Sequence, residues 1–346
     1  MTLSFTHDVP TQRVVFGAGA LARVGEEAER LGIKRAFVVA TRGSGARLGQ
    51  KVVELLGPRA AALHAHAVIH VPKTVADAGL AAAREAKLDG VVAIGGGSAI
   101  GLAKSIARET SLPIIAIPTT YSGSEATSIF GVTDGARKVT GRDPKVLPRA
   151  IIYDPDLTLG LPAGVSAASG MNAIAHCVES FWADGRTPIT LALASEAMRR
   201  FAKNLPAVVS DGADREARAE CLVAAWLAGS VLSVSNGLQH KLAHVLGGIG
   251  LPHAETHAII LPHVTRFNLA AAPQAKARLV DALGSDDPAN AIAAMLAEFP
   301  IPRRLRDVGF DAAKTDFVAA EIAAQSIASP RRVCASDVLD LLAAAH

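Results

Sequence analysis

Aromatic residues are scarce, 4 % of the 346 positions, although half of the chain is hydrophobic. Alanine supplies much of that apolar excess, so many closely packed helices are expected rather than a β-sandwich or a membrane bundle. Cysteine is scarcer still. Cys177, Cys221 and Cys334 are odd in number, lie far apart and form no C-x-x-C, which argues against a disulfide framework and suits a reducing compartment. Neither sign of charge dominates: 35 basic and 32 acidic residues leave a formal net of +3. No basic run is long enough to follow a phosphate backbone, so nucleic acid is not an expected partner. Met1 to Asp8 lacks the basic and apolar regions of a signal peptide. The uncharged stretch between Glu220 and Lys241 is broken by Ser230, Ser233, Ser235, Asn236, Gly237, Gln239 and His240. A membrane span, which takes about 20 predominantly apolar residues, is not expected there, and the chain reads as cytoplasmic.

The chain is long enough for two cores. Short apolar runs recur at Ala36 to Ala40, Ala67 to Val71, Val91 to Ile94, Ile114 to Ile117 and Ala150 to Tyr153, most of them β-branched on both faces. Runs of that kind belong to a parallel sheet covered on each side by helices, here drawn from about 45–57, 74–88 and 99–109. Thr11 to Phe16 adds an N-terminal strand, followed by a helix to Leu31. From Leu161 onward the pattern is long Ala/Leu-rich helices without a β-branched run of strand length. The expectation is an α/β N-terminal domain with a Rossmann-like parallel sheet, residues 1–158, and an all-α C-terminal domain, residues 159–346, meeting directly around a shared cleft.

Two loops of the first half have the makings of a nucleotide site. Gly95-Gly96-Gly97-Ser98 follows a strand directly and opens a helix, which offers close backbone approach, unpaired N–H groups and a partial positive charge to a pyrophosphate. It is not G-x-G-x-x-G, so the usual dinucleotide fingerprint of a first βα turn is absent. The next strand ends in Thr119-Thr120-Tyr121-Ser122-Gly123-Ser124-Glu125, dense in hydroxyls at the sheet edge where open parallel sheets bind ligands.

The second half concentrates histidine. Asn172 and His176 share a helical face, His240 and His244 repeat that spacing, and His253, His257 and His263 come after them. Five of the eleven histidines thus fall within twenty-four residues. Imidazoles gathered in this way serve either as a Zn or Fe(II) site or as a proton-transfer and oxyanion-stabilising cluster. The spacing does not choose between them, because His240 is followed by Lys241 and not by the Glu of the zinc-protease motif.

Taken together, these segments resemble the iron-containing alcohol dehydrogenase family, which includes glycerol dehydrogenase and, more distantly, dehydroquinate synthase. The resemblance rests on Gly95 to Ser98 with Ala103-Lys104, Pro118-Thr119-Thr120, the A-x-x-H-x-x-E pattern at Ala173 to Glu179, and H-x-x-x-H followed by Pro-His and Leu-Pro-His. It runs from Val14 to about Asn268 and fades in the C-terminal helices. The implied fold is an α/β nucleotide-binding domain, a helical domain and an active site between them. The family's metal-dependent members use an Asp and three His, matched here by Asn172, His176, His240 and His253, so a neutral amide replaces the acid and metal should be held far less firmly. Gly101 likewise stands where the family has an Asp. These departures, with Thr119-Thr120-Tyr121, Met171-Asn172-Ala173, His240-Lys241-Leu242 and His253 to His257, resemble a branch that reduces maleylacetate.

That branch implies NADH- or NADPH-dependent reduction of the C=C bond conjugated to the ketone of maleylacetate, giving 3-oxoadipate without a metal. A metal-dependent alcohol or polyol dehydrogenase is the alternative. An Asp about 6 Å from a substrate carboxylate would repel it by roughly 3 kcal/mol at an effective dielectric near 20, a penalty that Asn172 removes. His240 and His253 are then the leading donors to the ketone oxygen, with His244 near the nicotinamide and Tyr121 as a further donor. His176 and Lys241 are expected to bind carboxylates, the histidines being drawn toward the cation by the dianion. For the cofactor the resemblance implies Gly96, Gly97 and Ser98 at the pyrophosphate, Thr119, Thr120, Ser122 and Thr127 in the second loop, and Lys138 near the ribose and phosphates. Thr41 with Arg42 falls near the adenosine ribose. No acid ends that strand, so NADPH is expected to be accepted alongside NADH. A homodimer is expected by analogy with the family.

Overall fold

A computed structural model describes residues 4–9, 11–135, 137–232 and 237–346, the side chains of Arg137 and Lys138 excepted. The chain forms two compact units, Val9–Leu161 and Met1–Asp8 with Pro162–His346.

The first unit holds β1 (Arg13–Phe16), α1 (Val24–Arg30), β2 (Ala36–Thr41), α2 (Ser44–Leu56), β3 (Ala60–Ala67), α3 (Lys73–Glu85), β4 (Gly90–Gly95), α4 (Gly97–Thr110), β5 (Ile114–Pro118), β6 (Ile129–Asp134), β7 (Arg137–Arg142) and β8 (Ala150–Tyr153). Six strands make one parallel sheet in the order β1-β8-β5-β4-β2-β3. Why the central strands are apolar on both faces is visible in the packing. Val38, Ala40, Val92, Ile94, Ile115 and Ile117 point into a core with Val24, Val52 and Leu56 of α1 and α2. Their neighbours Phe37, Val39, Val91, Ala93 and Ile114 point into a second core with Ile100, Leu102, Ala103 and Ile106 of α4. Side chains alternate across a strand, so one β-branched run serves two helical layers.

Two expectations need correction here. The strand expected at Ala67 to Val71 lies earlier, at Ala60–Ala67, and the residues beyond it form a turn in which His70 and Val71 take positive φ of 64° and 45°. β3 is an edge strand hydrogen-bonded to β2 alone. Its register is set by that pairing and not by its own Ala/His-rich sequence, and the β-branched Val68 and Ile69 are left partly exposed beyond its end. The antiparallel hairpin β6–β7 is an addition to the expected elements. β6 is only half-buried and ends in Thr133-Asp134, and β7 is mostly polar or charged, so they lack the continuous apolar signal of the central sheet.

The second unit holds α5 (Ala163–Ser180), α6 (Pro188–Ser210), α7 (Arg215–Val231), α8 (Leu238–Gly248), α9 (His253–Leu269), α10 (Pro273–Leu283), α11 (Pro288–Glu298), α12 (Thr315–Ala323) and α13 (Ala335–Ala345), with no strand among its described residues. α5 and α8 both pack on α9. Leu238, Leu242 and Leu246 of α8 and Ile259, Ile260 and Val264 of α9 share a core with Val318, Ile322, Val338 and Leu342 of α12 and α13. Among the described residues no helix is long and apolar enough to cross a membrane.

Candidate active site

α5 is almost wholly buried, which brings its polar residues Asn172, His176 and Glu179 inside the helical unit, one turn apart along one face. α8 contributes Gln239, His240, Lys241 and His244, and α9 begins at His253 and places His257 one turn on. Five imidazoles from these three helices touch in series. His176 stacks on His240 with centroids 5.1 Å apart, and His257 meets His240 at 4.9 Å and His253 at 4.6 Å. His244 is edge-on to His240 at 6.4 Å and stacks on His253 at 5.9 Å.

Glu179 orders this cluster. One carboxylate oxygen accepts the Gln239 backbone N–H at 2.8 Å, and the other accepts from His240 Nδ1. Gly237 leaves room for the arrangement, since a Cβ there would stand 2.8 Å from Glu179 Oε1 and 2.4 Å from the Ala328 carbonyl. With its Nδ1 proton fixed on Glu179, His240 presents Nε2 as a lone pair when neutral and as an N–H when charged. Nothing in the described residues meets that nitrogen. Four polar atoms are buried here without a partner: Asn172 Oδ1, His176 Nδ1, His240 Nε2 and His257 Nε2. Each costs about 1–3 kcal/mol unless something outside the chain satisfies it, so the cluster is built to receive a polar ligand.

Burial, reinforced by His240, pushes the pKa of His176 well below the usual imidazole range, and burial with the surrounding rings does the same to His257. The ligand-free protein therefore opposes the protonation that carboxylate binding by His176 calls for. Lys241 is half-buried on α8 and has no ion-pair partner among the described residues.

One amide with three imidazoles is a poorer donor set for a divalent ion than a carboxylate with three imidazoles. At the family's ligand positions stand one amide and three imidazoles, the site carries no carboxylate of its own except the one already held by His240, and two of the rings are stacked. Among the described residues no group of three or more His, Cys, Asp or Glu side chains is arranged to hold a metal ion.

In the α/β unit the glycine-rich turn and the hydroxyl loop lie against each other at the ends of β4 and β5. Gly95 takes φ 142°, and a Cβ on Gly96 would come within 2.8 Å of Thr120 Cγ2, so both positions require glycine. Thr119 N donates to the Gly95 carbonyl at 3.1 Å. The Ser122 hydroxyl is buried, has no partner, and lies 3.9 Å from where a Gly97 side chain would begin. An orphaned hydroxyl beside the N-terminus of a fourteen-residue helix fits a pyrophosphate. Gly97 is exposed and Ser98 half-buried at that terminus. Thr41 ends β2 and packs over Gly45 of α2, while Arg42 next to it is exposed. Tyr121 is fully buried in the second loop. The Lys138 side chain lies outside the described residues.

Thr127 faces inward. Its hydroxyl accepts from Lys104 Nζ at 2.9 Å and donates to the Ser124 carbonyl at 3.0 Å. Lys104 also donates to the carbonyls of Ser124, Thr127 and Ile129 at 2.7–2.8 Å, while burial pushes its pKa down to about 7. Those acceptors make it a clamp from α4 onto the hydroxyl loop, a role invisible in the sequence beyond the Ala-Lys of the family motif. Lys104→Met is expected to cost roughly 2–5 kcal/mol by leaving buried carbonyls unpaired, and to weaken NADH binding by loosening the hydroxyl loop at Ser124 and Thr127. Urea unfolding and cofactor fluorescence check this; an unchanged unfolding midpoint would refute the clamp.

Comparison with known proteins agrees with the motifs. The profile of the iron-containing alcohol dehydrogenases matches residues 10–155, and that of the family's C-terminal region matches residues 166–346. The chain belongs to the iron-containing alcohol dehydrogenase family. Membership makes it an oxidoreductase, and the match continues to the last residue, through the helices where the sequence motifs fade. It is 44 % identical over 346 residues to maleylacetate reductase of Pseudomonas sp. strain P51, covering 99 % of this chain and 98 % of that one. With maleylacetate reductase 2 of Cupriavidus pinatubonensis the identity is 47 % over 338 residues, covering 96 % and 94 %. The crystal structure of maleylacetate reductase from Agrobacterium tumefaciens superposes with a TM-score of 0.94 at 39 % identity, covering 99 % and 98 %.

Proposed function

We propose that this protein reduces the carbon–carbon double bond conjugated to the ketone of maleylacetate, giving 3-oxoadipate, with NADH or NADPH and without a metal. Relatives named for that reaction support the substrate class. The observation that supports the metal-free reading is the buried cluster itself, in which an amide oxygen at position 172 and three imidazole nitrogens are buried without a partner. A doubly anionic oxo acid complements such a set; a carboxylate at position 172 would not.

The reduced nicotinamide, when bound, supplies hydride to the carbon β to the ketone. Negative charge then gathers on the ketone oxygen, where preorganised N–H donors gain most of their value. His240, oriented by Glu179, and His253 act on that oxygen, and Tyr121 is a further donor. His244 carries or orients a proton, while Lys241 and His176 hold carboxylates. Ser122, Gly96, Gly97 and Ser98 bind the pyrophosphate, Thr119 and Thr120 shape the loop, and Arg42 beside Thr41 accommodates a 2′-phosphate where an acid would repel it.

The test monitors NADH absorbance with maleylacetate before and after exhaustive chelation, then repeats it with NADPH. Full activity after chelation and comparable kcat with both cofactors are expected. Activity that vanishes with the chelator and returns with Fe(II) or Zn(II) would make the protein a metal-dependent dehydrogenase instead, and strict NADH dependence would remove the role given to Arg42.

A further inference from the structure

One histidine of the cluster has its tautomer fixed by the fold. The side-chain Nε2 of Gln239 lies 3.0 Å from the backbone carbonyl of His257 and 3.2 Å from Nδ1 of the same residue's ring. A carbonyl oxygen can only accept, so it selects the nitrogen end of the Gln239 amide, and the second amide proton meets Nδ1. Nδ1 is thereby the acceptor, and the proton of the neutral ring resides on Nε2. That Nε2–H is buried without a partner in the described residues, between rings 4.9 and 4.6 Å away on His240 and His253. Gln239 and His257 are both buried, 1 % and 0 % exposed, so bulk water does not compete for either bond. Gln239 is itself held in place by the Glu179 carboxylate through its backbone N–H.

Building on the function proposed above, we infer that His257 is a catalytic residue whose Nε2–H donates to the ketone oxygen of the substrate, and that Gln239 is its positioning residue. Hydride joins the β carbon, the π pair of the double bond shifts to become the α-carbon–carbonyl-carbon double bond, and the carbonyl pair moves onto oxygen as an enolate. A proton from water afterwards joins the α carbon as the carbonyl re-forms. His257 holds the oxyanion throughout without surrendering its proton, because its other nitrogen is occupied by a donor amide. His240 is the complementary ring, with Nδ1 on a carboxylate and Nε2 without a partner among the described residues.

The experiment compares wild type, His257→Asn, His257→Gln and Gln239→Met in NADH-dependent reduction of maleylacetate, with thermal unfolding and NADH fluorescence as controls. His257→Asn loses the donor and is expected to lower kcat by about 10²–10³ with KM changed less than about threefold, as for removal of one oxyanion donor. His257→Gln keeps an N–H near the same place and should recover about tenfold or more of that loss. Gln239→Met keeps the ring but frees its tautomer, and kcat should fall by about tenfold. A folded, NADH-binding His257→Asn enzyme with kcat within threefold of wild type overturns the inference, as does a Gln variant no better than Asn. Should both His257 variants fail to fold, unchanged kcat in Gln239→Met overturns it. A wild type that fails to consume NADH with maleylacetate defeats the proposed function itself, a result distinct from any of these.

Discussion

Glu179→Gln is expected to lower kcat for maleylacetate reduction by about 10²–10⁴ while leaving KM for NADH unchanged. The carboxylate is 1 % exposed and spends its two oxygens on Gln239 N and His240 Nδ1. A buried acceptor on Nδ1 holds an imidazole in the tautomer that presents Nε2 to the substrate and stabilises its charged form; an amide in the same place does neither reliably, since its NH2 can turn toward Nδ1 and move the ring proton to the other nitrogen. Replacing the carboxylate partner of a catalytic histidine by an amide has costs at the upper end of that range in serine hydrolases. Shape is conserved by the substitution, so a small change in melting temperature is predicted together with the large change in kcat. A variant that melts like wild type and turns over within threefold of it would show that His240 needs no carboxylate.

The sheet and helices of the α/β unit are legible in the sequence because central parallel strands must be apolar on both faces, as Val91 to Ile94 and Ile114 to Ile117 are. β3 is not, because an edge strand takes its register from its neighbour, and the most strand-like residues nearby, Val68 and Ile69, lie in the turn beyond it. The same logic separates the parts of the candidate site. Histidines at helical spacing announce themselves in the sequence, and so does Asn172 against the family's acid. The roles of their orienting partners do not: Glu179 lies 60 residues from Gln239 and 61 from His240, and the Gln239–His257 bond bridges two helices across 18 residues. One signal exists, since Glu179 comes three residues after His176 on a helix with no solvent-facing side, where an unpaired acid is too costly to keep. Lys104 is legible only as a lone cation in the mostly apolar stretch Ala99 to Ala107, and the carbonyls it clamps are not.

Asn172→Asp tests the electrostatic reading of the amide at position 172. The new carboxylate would lie in the same buried cluster as His176 and His240, each of which has a buried nitrogen without a partner. About 6 Å from a substrate carboxylate, at an effective dielectric near 20, it repels by roughly 3 kcal/mol, equivalent to about a hundredfold in affinity. The substrate's carboxylates carry the same charge before and during hydride transfer, so most of the effect falls on KM for maleylacetate, and KM for NADH stays near its wild-type value. Asn172→Ala separates the two contributions, because it removes the amide without adding charge and should raise KM by less than about tenfold. The same Asp also restores one carboxylate to three imidazoles, so the variant should retain more Zn(II) than wild type after equilibration and dialysis, read by metal analysis and not by activity. An Asp variant whose KM for maleylacetate lies within threefold of wild type would place the dicarboxylate away from position 172, and with it would fall the electrostatic reason for the amide.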